Sequence, residues 1–195
     1  MAGDDPGTAT GISGRIALMR VSVFLFVAAG LLAMKLIGEN GAGDIFQAPA
    51  ALEPYEGTSV VLDGDTLRVD GTKIRLMWVD ACEMGQPATA GYTKFDCGQW
   101  AKDKLIQIIN GQRVRCRPQG AGYYQRILAT CETASGVDLS SALLSTGTAF
   151  LYGANKAPVI YLDAERAARQ RAGGVHGFSD LMHPKEFRQL TKGRS

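Results

Sequence analysis

The sequence predicts an α+β domain built on a small β-barrel, and three observations support this class. Short β-branched segments separated by glycine-containing turns come first in the globular part of the chain. A helix and a pair of strands follow, and further helices come last. Composition agrees with a globular domain, because 46% of the 195 residues are hydrophobic, 21% are charged, and 24 glycines favour a fold rich in turns.

Each element of this prediction has a local signal. The predicted elements, in chain order, are strands over 58–62, 66–69 and 73–78, a helix over 98–110, two strands around Cys116 and Cys131, a helix over 139–145, a short apolar segment over 148–151 and a helix over 158–171. Gly111 is expected to end the first helix, and Asp138 is expected to cap the second. Ile160, Leu162 and the alanines are expected on the apolar side of the last helix.

The residues before position 57 are predicted to lie outside this domain. Residues 1–14 are expected to be disordered, and 38–56 read as a linker rich in Gly, Ala and Pro. Residues 15–37 contain a long uncharged run and are predicted to form a hydrophobic helix that anchors the chain in a membrane. The arginines before this run place the domain outside the cytoplasm. A cleaved secretory signal is the alternative interpretation.

The four cysteines favour an exported protein with two disulfides. The strands around Cys116 and Cys131 form a predicted hairpin centred between Tyr123 and Tyr124, which places these two cysteines opposite each other. Cys82 and Cys97 then form the second pair, across the loop between them. Four reduced thiols in a cytosolic protein are the alternative, and a zinc site is not expected because no C-x-x-C spacing occurs.

Charged residues are concentrated at predicted strand ends. Asp63-Gly64-Asp65 forms a turn, Arg75 lies between Ile74 and Leu76 on a strand, and Asp80 and Glu83 follow the end of that strand. Carboxylate oxygens suit a hard cation, and a guanidinium group suits a phosphate. This combination of residues suggests metal-assisted phosphodiester chemistry, although the net charge of +2 does not by itself indicate a nucleic-acid partner.

Together with Tyr124-Gln125-Arg126, these residues resemble, in order and rough spacing, the pattern of the staphylococcal nuclease family. The stretch from Ala164 to Val175 is similar to the last helix of that family. The resemblance covers about residues 56–178, so we place the domain at 57–178 and a basic C-terminal tail at 179–195. It implies a five-stranded OB-fold barrel with about three α-helices, and Ca²⁺-dependent cleavage of DNA and RNA.

The resemblance also implies a role for each charged residue. Asp65, Asp80 and the backbone carbonyl of Ala81 would be ligands of Ca²⁺. Glu83 would orient or deprotonate the attacking water. Arg75 and Arg126 would hold the phosphate and offset the charge that grows on its oxygens.

The chain departs from the family pattern at three positions. Ala81 and Cys82 stand where the family usually has threonine and proline, and Gln125 replaces the glycine of a Tyr-Gly-Arg motif. The threonine acts through its backbone carbonyl, which Ala81 also provides. Tyrosine side chains near the site are candidates for stacking on nucleobases, with packing at the barrel edge as the alternative. These are Tyr123, Tyr124 and Tyr152.

Two functional hypotheses follow from these observations. The first is a monomeric nuclease of the bacterial cell envelope, anchored in the inner membrane with its domain in the periplasm, or secreted if the N-terminal segment is cleaved. The alternative is a non-catalytic OB-fold module that binds nucleic acid or protein. The acids at 65, 80 and 83 favour the nuclease, since a module that only binds a polyanion has no use for three carboxylates.

Overall fold

The computed structural model of the protein describes residues 53–121 and 126–192. The strands in these ranges are β1 (Tyr55–Gly57), β2 (Ser59–Val61), β3 (Thr66–Val69), β4 (Thr72–Leu76), β5 (Val79–Ala81), β6 (Pro87–Ala90), β7 (Thr93–Asp96), β8 (Val114–Ala121), β9 (Ile127–Thr133) and β10 (Ala149–Leu151). The helices are α1 (Cys97–Ile109), α2 (Leu139–Ser145), α3 (Val159–Gln170) and α4 (Pro184–Lys192), with a 3-10 turn at Gly174–His176.

Six strands form one curved sheet, in the order β1-β8-β9-β4-β3-β2. Neighbouring strands are antiparallel except β4 and β9, which are parallel. β1 and β2 lie at opposite edges although only Thr58 separates them in the chain, so the sheet must bend round on itself. Two further ladders, β5–β10 and β6–β7, are separate from this sheet.

The predicted class is confirmed, but the predicted closed barrel of five strands is not found in the part of the chain that the structure describes. The α+β order agrees, with the first helix over Cys97–Ile109 and the second over Leu139–Ser145. The ladders of the described residues stop at β1 and β2, because these two segments follow one another along the chain instead of pairing. The sheet therefore curves without closing into a cylinder of hydrogen bonds.

The predicted face of α3 was right for its alanines and wrong for Ile160. Ile160 is 58% exposed, whereas Tyr161 and Ala168 are buried and Ala164 is partly buried against the core. Residues 161, 164 and 168 share one face of a helix. Two adjacent bulky residues cannot both point to that face, and the ring of Tyr161 takes the place because its hydroxyl donates to the carboxylate of Asp138 at 2.8 Å.

Three described elements carry weak sequence signals and were not predicted. β1 begins at Tyr55, inside the range predicted to be linker, and pairs with β8. The β6–β7 hairpin occupies the segment predicted to be a loop between two cysteines. Helix α4 lies in the range predicted to be a basic tail, and Pro184 is its one buried residue.

The predicted N-terminal hydrophobic helix over 15–37 lies outside the described residues. Among the helices of residues 53–121 and 126–192, none combines the length and the apolar character that crossing a bilayer requires.

The core lies between the curved sheet and helices α1 and α2. Its largest fully buried side chains are leucine and isoleucine, contributed by Leu67, Ile74, Leu76, Leu105, Leu139, Leu143 and Leu144. On β4, Ile74 and Leu76 point into this core and Arg75 points to the other face, as the alternation of a strand requires. The core therefore fixes the direction in which the Arg75 guanidinium projects.

Both predicted disulfides are confirmed. Cys116 and Cys131 are directly opposite in the β8–β9 register, and their Cα atoms are 4.0 Å apart. Cys82 and Cys97 are bonded with their Cα atoms 5.6 Å apart, which joins the end of β5 to the start of α1. No cysteine is left as a free thiol.

Candidate active site

The Asp63-Gly64-Asp65 turn projects one carboxylate into the protein. The amides of Leu62 and Asp63 both donate to the Thr66 carbonyl, and the Asp63 carboxylate accepts from the Asp65 amide at 3.1 Å. A Cβ atom on Gly64 would lie 2.7 Å from the Cβ atoms of both Ala81 and Ala101, so the turn can pack this closely only with glycine. Because Asp63 closes the turn, the carboxylate of Asp65 is left to face β5.

Asp65 is 4% exposed and accepts three hydrogen bonds. Its Oδ2 accepts from the Ala81 amide at 3.1 Å, and its Oδ1 accepts from Thr66 Oγ1 at 3.0 Å and from Arg75 Nη1 at 2.8 Å. Burial raises the pKa of Asp65 to about 7, and the Arg75 charge opposes this shift. A further positive charge beside this carboxylate would favour its ionised form.

Asp80 lies on β5 and is 1% exposed. Its Oδ1 accepts from Arg75 Nη2 at 3.0 Å. The register of β3 and β4 places Thr66 opposite Arg75, so one guanidinium reaches both carboxylates. Asp65 and Asp80 therefore converge on a single cationic group, as the sequence order suggested.

Glu83 lies on the loop over 82–86, which is tied down at several points. The Glu83 amide donates to Gln86 Oε1 at 2.9 Å, and the Gln86 amide donates to the Glu83 carbonyl at 2.9 Å. Asp96 accepts from the Gly85 amide and caps α1 through the amides of Gly98 and Gln99. With the Cys82–Cys97 bond, these contacts hold the backbone of Glu83 against the start of α1.

An arginine that sequence reasoning missed completes the cluster. Arg188 on α4 donates from Nη1 to Asp80 Oδ1 at 3.0 Å and from Nη2 to Asp80 Oδ2 at 3.0 Å. Its Nη1 also donates to Glu83 Oε1. Burial alone would lower the pKa of Arg188, but the hydrogen bonds to both acids raise it. A proline at the first helical position, Pro184, was the available signal that the predicted tail contains a helix.

Of Arg126 and the three candidate tyrosines, the described residues include Arg126 and Tyr152. Arg126 is half-buried and directly precedes β9, whose Leu128 is paired with Arg75 in the parallel register. Tyr152 directly follows β10, is 62% exposed, and donates its amide to the Trp78 carbonyl. Tyr123 and Tyr124 lie outside the described residues.

A cavity of about 230 Å³ has Arg75 among its lining residues. Its walls are mainly apolar and include Leu76, Trp78, Leu128 and Tyr152. The cavity therefore borders Arg75, and its lining is mainly apolar. A flat apolar group attached to a phosphate is the kind of ligand that this combination suits.

The two aspartates fit a hard divalent cation. Among the described residues, no group of three or more acids, histidines or cysteines is arranged as a metal site, because the guanidinium groups of Arg75 and Arg188 lie between the acids. Asp65 and Asp80 nevertheless offer buried carboxylate oxygens that converge on one positive charge, and such oxygens are the ligands that Ca²⁺ prefers. The carbonyl of Ala81 as a third ligand stays a prediction.

Several known proteins are similar in sequence to this chain. The chain is 29% identical over 127 residues to the succinoglycan biosynthesis protein ExoI of Rhizobium meliloti, covering 64% of this chain and 66% of that protein, slightly less than two thirds of its length. It is 27% identical over 145 residues to an uncharacterized endonuclease of Escherichia coli, covering 72% of this chain and 89% of that protein. A Haemophilus influenzae protein of the same description is 26% identical over 137 residues, covering 68% and 71%.

Residues 73–175 match the family described as staphylococcal nuclease homologue. The match covers more than half of the chain and includes Arg75, Asp80, Glu83 and Arg126. Asp65 precedes it and joins the cluster through Arg75. The chain belongs to the family of staphylococcal nuclease homologues.

Proposed function

We propose that this chain is a Ca²⁺-dependent nuclease that hydrolyses phosphodiester bonds of DNA, RNA or both. The observation that carries the proposal is the convergence of Asp65 and Asp80 on one guanidinium, with Glu83 joined to the same cluster. The two bacterial relatives that are named endonucleases support it. A module that only binds nucleic acid would be weakened by these acids, because they repel a polyanion.

Each residue of the cluster has a chemical task in this proposal. Asp65, Asp80 and the Ala81 carbonyl would hold Ca²⁺, which when bound supplies positive charge beside the scissile phosphate. Glu83 takes a proton from the attacking water as general base. Arg75 and Arg126 donate to the non-bridging phosphate oxygens, where negative charge grows in the transition state. Arg75 uses two of its five N–H donors on the aspartates, so donors remain for the phosphate.

The cavity beside Arg75 is the proposed subsite for a nucleobase next to the cleaved bond. The aromatic ring of Tyr152 and the side chain of Leu128 line this cavity and present apolar surface to a base, while Arg75 holds the phosphate attached to it. Stacking against such a wall is tolerant of sequence, because every base has a π-face. The proposed enzyme therefore reads the backbone and accepts many sequences.

The proposed location is the bacterial cell envelope, with the domain outside the cytoplasm and residues 15–37 as an anchor or a cleaved signal. The two disulfides support this proposal, since such bonds persist mainly in oxidising compartments. We propose a monomer, because the candidate site is assembled from residues of one chain.

A plasmid-nicking assay tests the proposed function. The purified protein is expected to cut single- and double-stranded substrates with Ca²⁺ and to stop when EGTA removes the cation. The Asp80→Asn variant, which loses one proposed ligand charge, serves as the inactive control. Undiminished cutting in EGTA would contradict the mechanism. Binding of nucleic acid without cutting under any divalent cation would favour the non-catalytic OB-fold module.

Gly98→Ala tests whether the position of Glu83 matters. A Cβ atom at residue 98 would lie 2.2 Å from the Glu83 carbonyl oxygen, so the loop over 82–86 must move. We expect a loss of about 1–3 kcal/mol in the free energy of unfolding, the usual cost of overpacking. A displacement of Glu83 by about 1 Å would lower the cleavage rate by roughly 10²-fold.

The exposed neighbour Gln99 provides the matched control for this variant. Gln99→Ala makes the same alanine at the next helical position without meeting the loop. Thermal unfolding and initial cleavage rates are measured for both proteins. Because alanine is favoured over glycine in a helix by about 1 kcal/mol, a stabilised and fully active Gly98→Ala protein would show that the close packing has no consequence.

A further inference from the structure

Helix α4, the last element of the described chain, places the Arg188 guanidinium beside Asp80 and Glu83. The Arg188 guanidinium meets Asp80 with two parallel hydrogen bonds of 3.0 Å and also contacts Glu83. This fork geometry is the strong form of an arginine–carboxylate pair. It engages both oxygens of Asp80, which is 1% exposed and has no second face open to solvent.

This contact conflicts with the tasks proposed for the same two acids. A cation bound by Asp80 and a guanidinium seated on both of its oxygens would be two positive charges at one carboxylate, and like charges at such distances repel strongly. Glu83 likewise cannot serve a water molecule freely while its Oε1 accepts from Arg188. Arg188 therefore stands where the reaction needs a metal ion and a water.

We propose that α4 is an inhibitory segment of this protein, in which Arg188 competes with the divalent cation for Asp80 and must leave before the site can act. The proposal rests on the proposed function, because it concerns access to the same acids. Displacement of α4 by Ca²⁺ then converts a closed site into an open one. The fraction of the enzyme with an open site then depends on how strongly Arg188 and Ca²⁺ each bind Asp80.

The attachment of α4 is suited to such release. Of its nine residues only Pro184 is buried; Phe187 is partly buried and Leu190 is exposed, so the helix body holds to the domain through little fully buried apolar surface. The chain just before it is held firmly, because Gln86 Nε2 donates to the Met182 carbonyl at 2.6 Å and the His183 ring packs on Phe150 at 4.7 Å. The helix can therefore detach while its first residues stay docked beside the site.

Arg188 is attached to the domain by a short stretch of chain, and this tether sets how strongly it competes with Ca²⁺. A group held by a short tether competes at an effective concentration of about millimolar, without needing high affinity of its own. Removing the guanidinium should therefore improve calcium binding measurably without creating any new ligand. Arg188→Gln removes the charge and keeps a polar side chain, while Lys185→Gln removes one positive charge from an exposed position of the same helix.

The test is isothermal titration of the full-length protein with CaCl₂, with circular dichroism to verify the fold and with cleavage measured across the same calcium range. The Arg188→Gln protein is expected to bind Ca²⁺ about tenfold more tightly than the parent, within the usual range of coupling between sites. Its half-maximal calcium concentration for cleavage should fall in parallel. Lys185→Gln should match the parent in both measurements.

Other outcomes are decisive as well. Equal calcium affinity of Arg188→Gln and parent would overturn the inhibitory role. Unchanged affinity with a loss of cleavage would overturn it too, and would identify Arg188 as a phosphate-binding residue. If parent and both variants fold but neither bind Ca²⁺ nor cleave, the proposed function itself fails. Cleavage that needs calcium in the parent, with no change in Arg188→Gln, rejects the inference alone.

Discussion

Replacing Glu83 by glutamine is expected to lower the cleavage rate by about 10²-fold or more, the scale of general-base catalysis, while substrate binding is kept. The amide has nearly the shape of the carboxylate but cannot take a proton from water. The loop itself should not shift, because Gln86 holds the backbone amide and carbonyl of Glu83 on both sides. Single-turnover cleavage and the dissociation constant for an oligonucleotide, measured separately, distinguish the two effects.

Glu132→Gln is the matched control for this variant. Glu132 on β9 also pairs with an arginine, Arg117, at 2.8 Å, but it lies outside the cluster of acids. The Glu132→Gln protein should cleave at the same rate as the parent. A Glu83→Gln protein as active as the parent would show that another group accepts the proton.

Loss of the Cys82–Cys97 disulfide is expected to reduce activity as well as stability, whereas loss of Cys116–Cys131 should mainly reduce stability. Both bonds join residues with a sequence separation of 15. The chain-entropy model therefore assigns them the same contribution, about 3 kcal/mol each. Only Cys82 is next to Glu83 in the chain, so a difference in activity between the two double variants reports on the loop over 82–86 alone.

Double alanine variants of each pair, compared by urea unfolding and cleavage at a temperature where both are folded, make this measurement. Similar losses of stability with a cleavage rate reduced only in Cys82→Ala/Cys97→Ala are expected. Equal cleavage rates for the two folded variants would mean that Gln86, Asp96 and the packing of Gly98 hold Glu83 without help from the disulfide.

The parts of the site that the sequence predicted are those built from neighbouring strands. Asp65, Arg75 and Asp80 fall on consecutive short strands and turns, so their order along the chain already implies that they meet. The Cys116–Cys131 pair was predictable for a similar reason, because a hairpin places opposite each other the residues equally far from its centre. The bulge between Pro118 and Gly120 lies between this pair and the turn and shifts the register there by one residue, so the pairing of Cys116 with Cys131 is the predicted one although the strand ends nearest the turn are paired differently.

The features that the sequence did not predict depend on contacts between residues far apart in the chain, which leave no local sequence pattern. Arg188 sits on a helix with one buried residue, and nothing near it in the chain points to Asp80. Strand β1 has three residues and is too short for a periodic signal, whereas β2 lies within the predicted strand over 58–62. The placement of β1 and β2 at opposite edges was not predicted either, and it sets the curvature of the sheet. The face of α3 was misjudged because a buried hydroxyl partner for Tyr161 outweighed the greater hydrophobicity of Ile160.

The separation of Arg188 from its partners along the chain also orders the events of folding. Arg75 is ten residues from Asp65 and five from Asp80, whereas Arg188 is 108 residues from Asp80. Contacts that close long loops cost more chain entropy and form later than local ones. A folding chain thus passes through a stage in which Arg75 has joined the aspartates and α4 has not yet docked. Under the proposed function, calcium present in the medium at that stage would reach Asp80 before Arg188 does, so the conditions of folding would decide which positive charge arrives first.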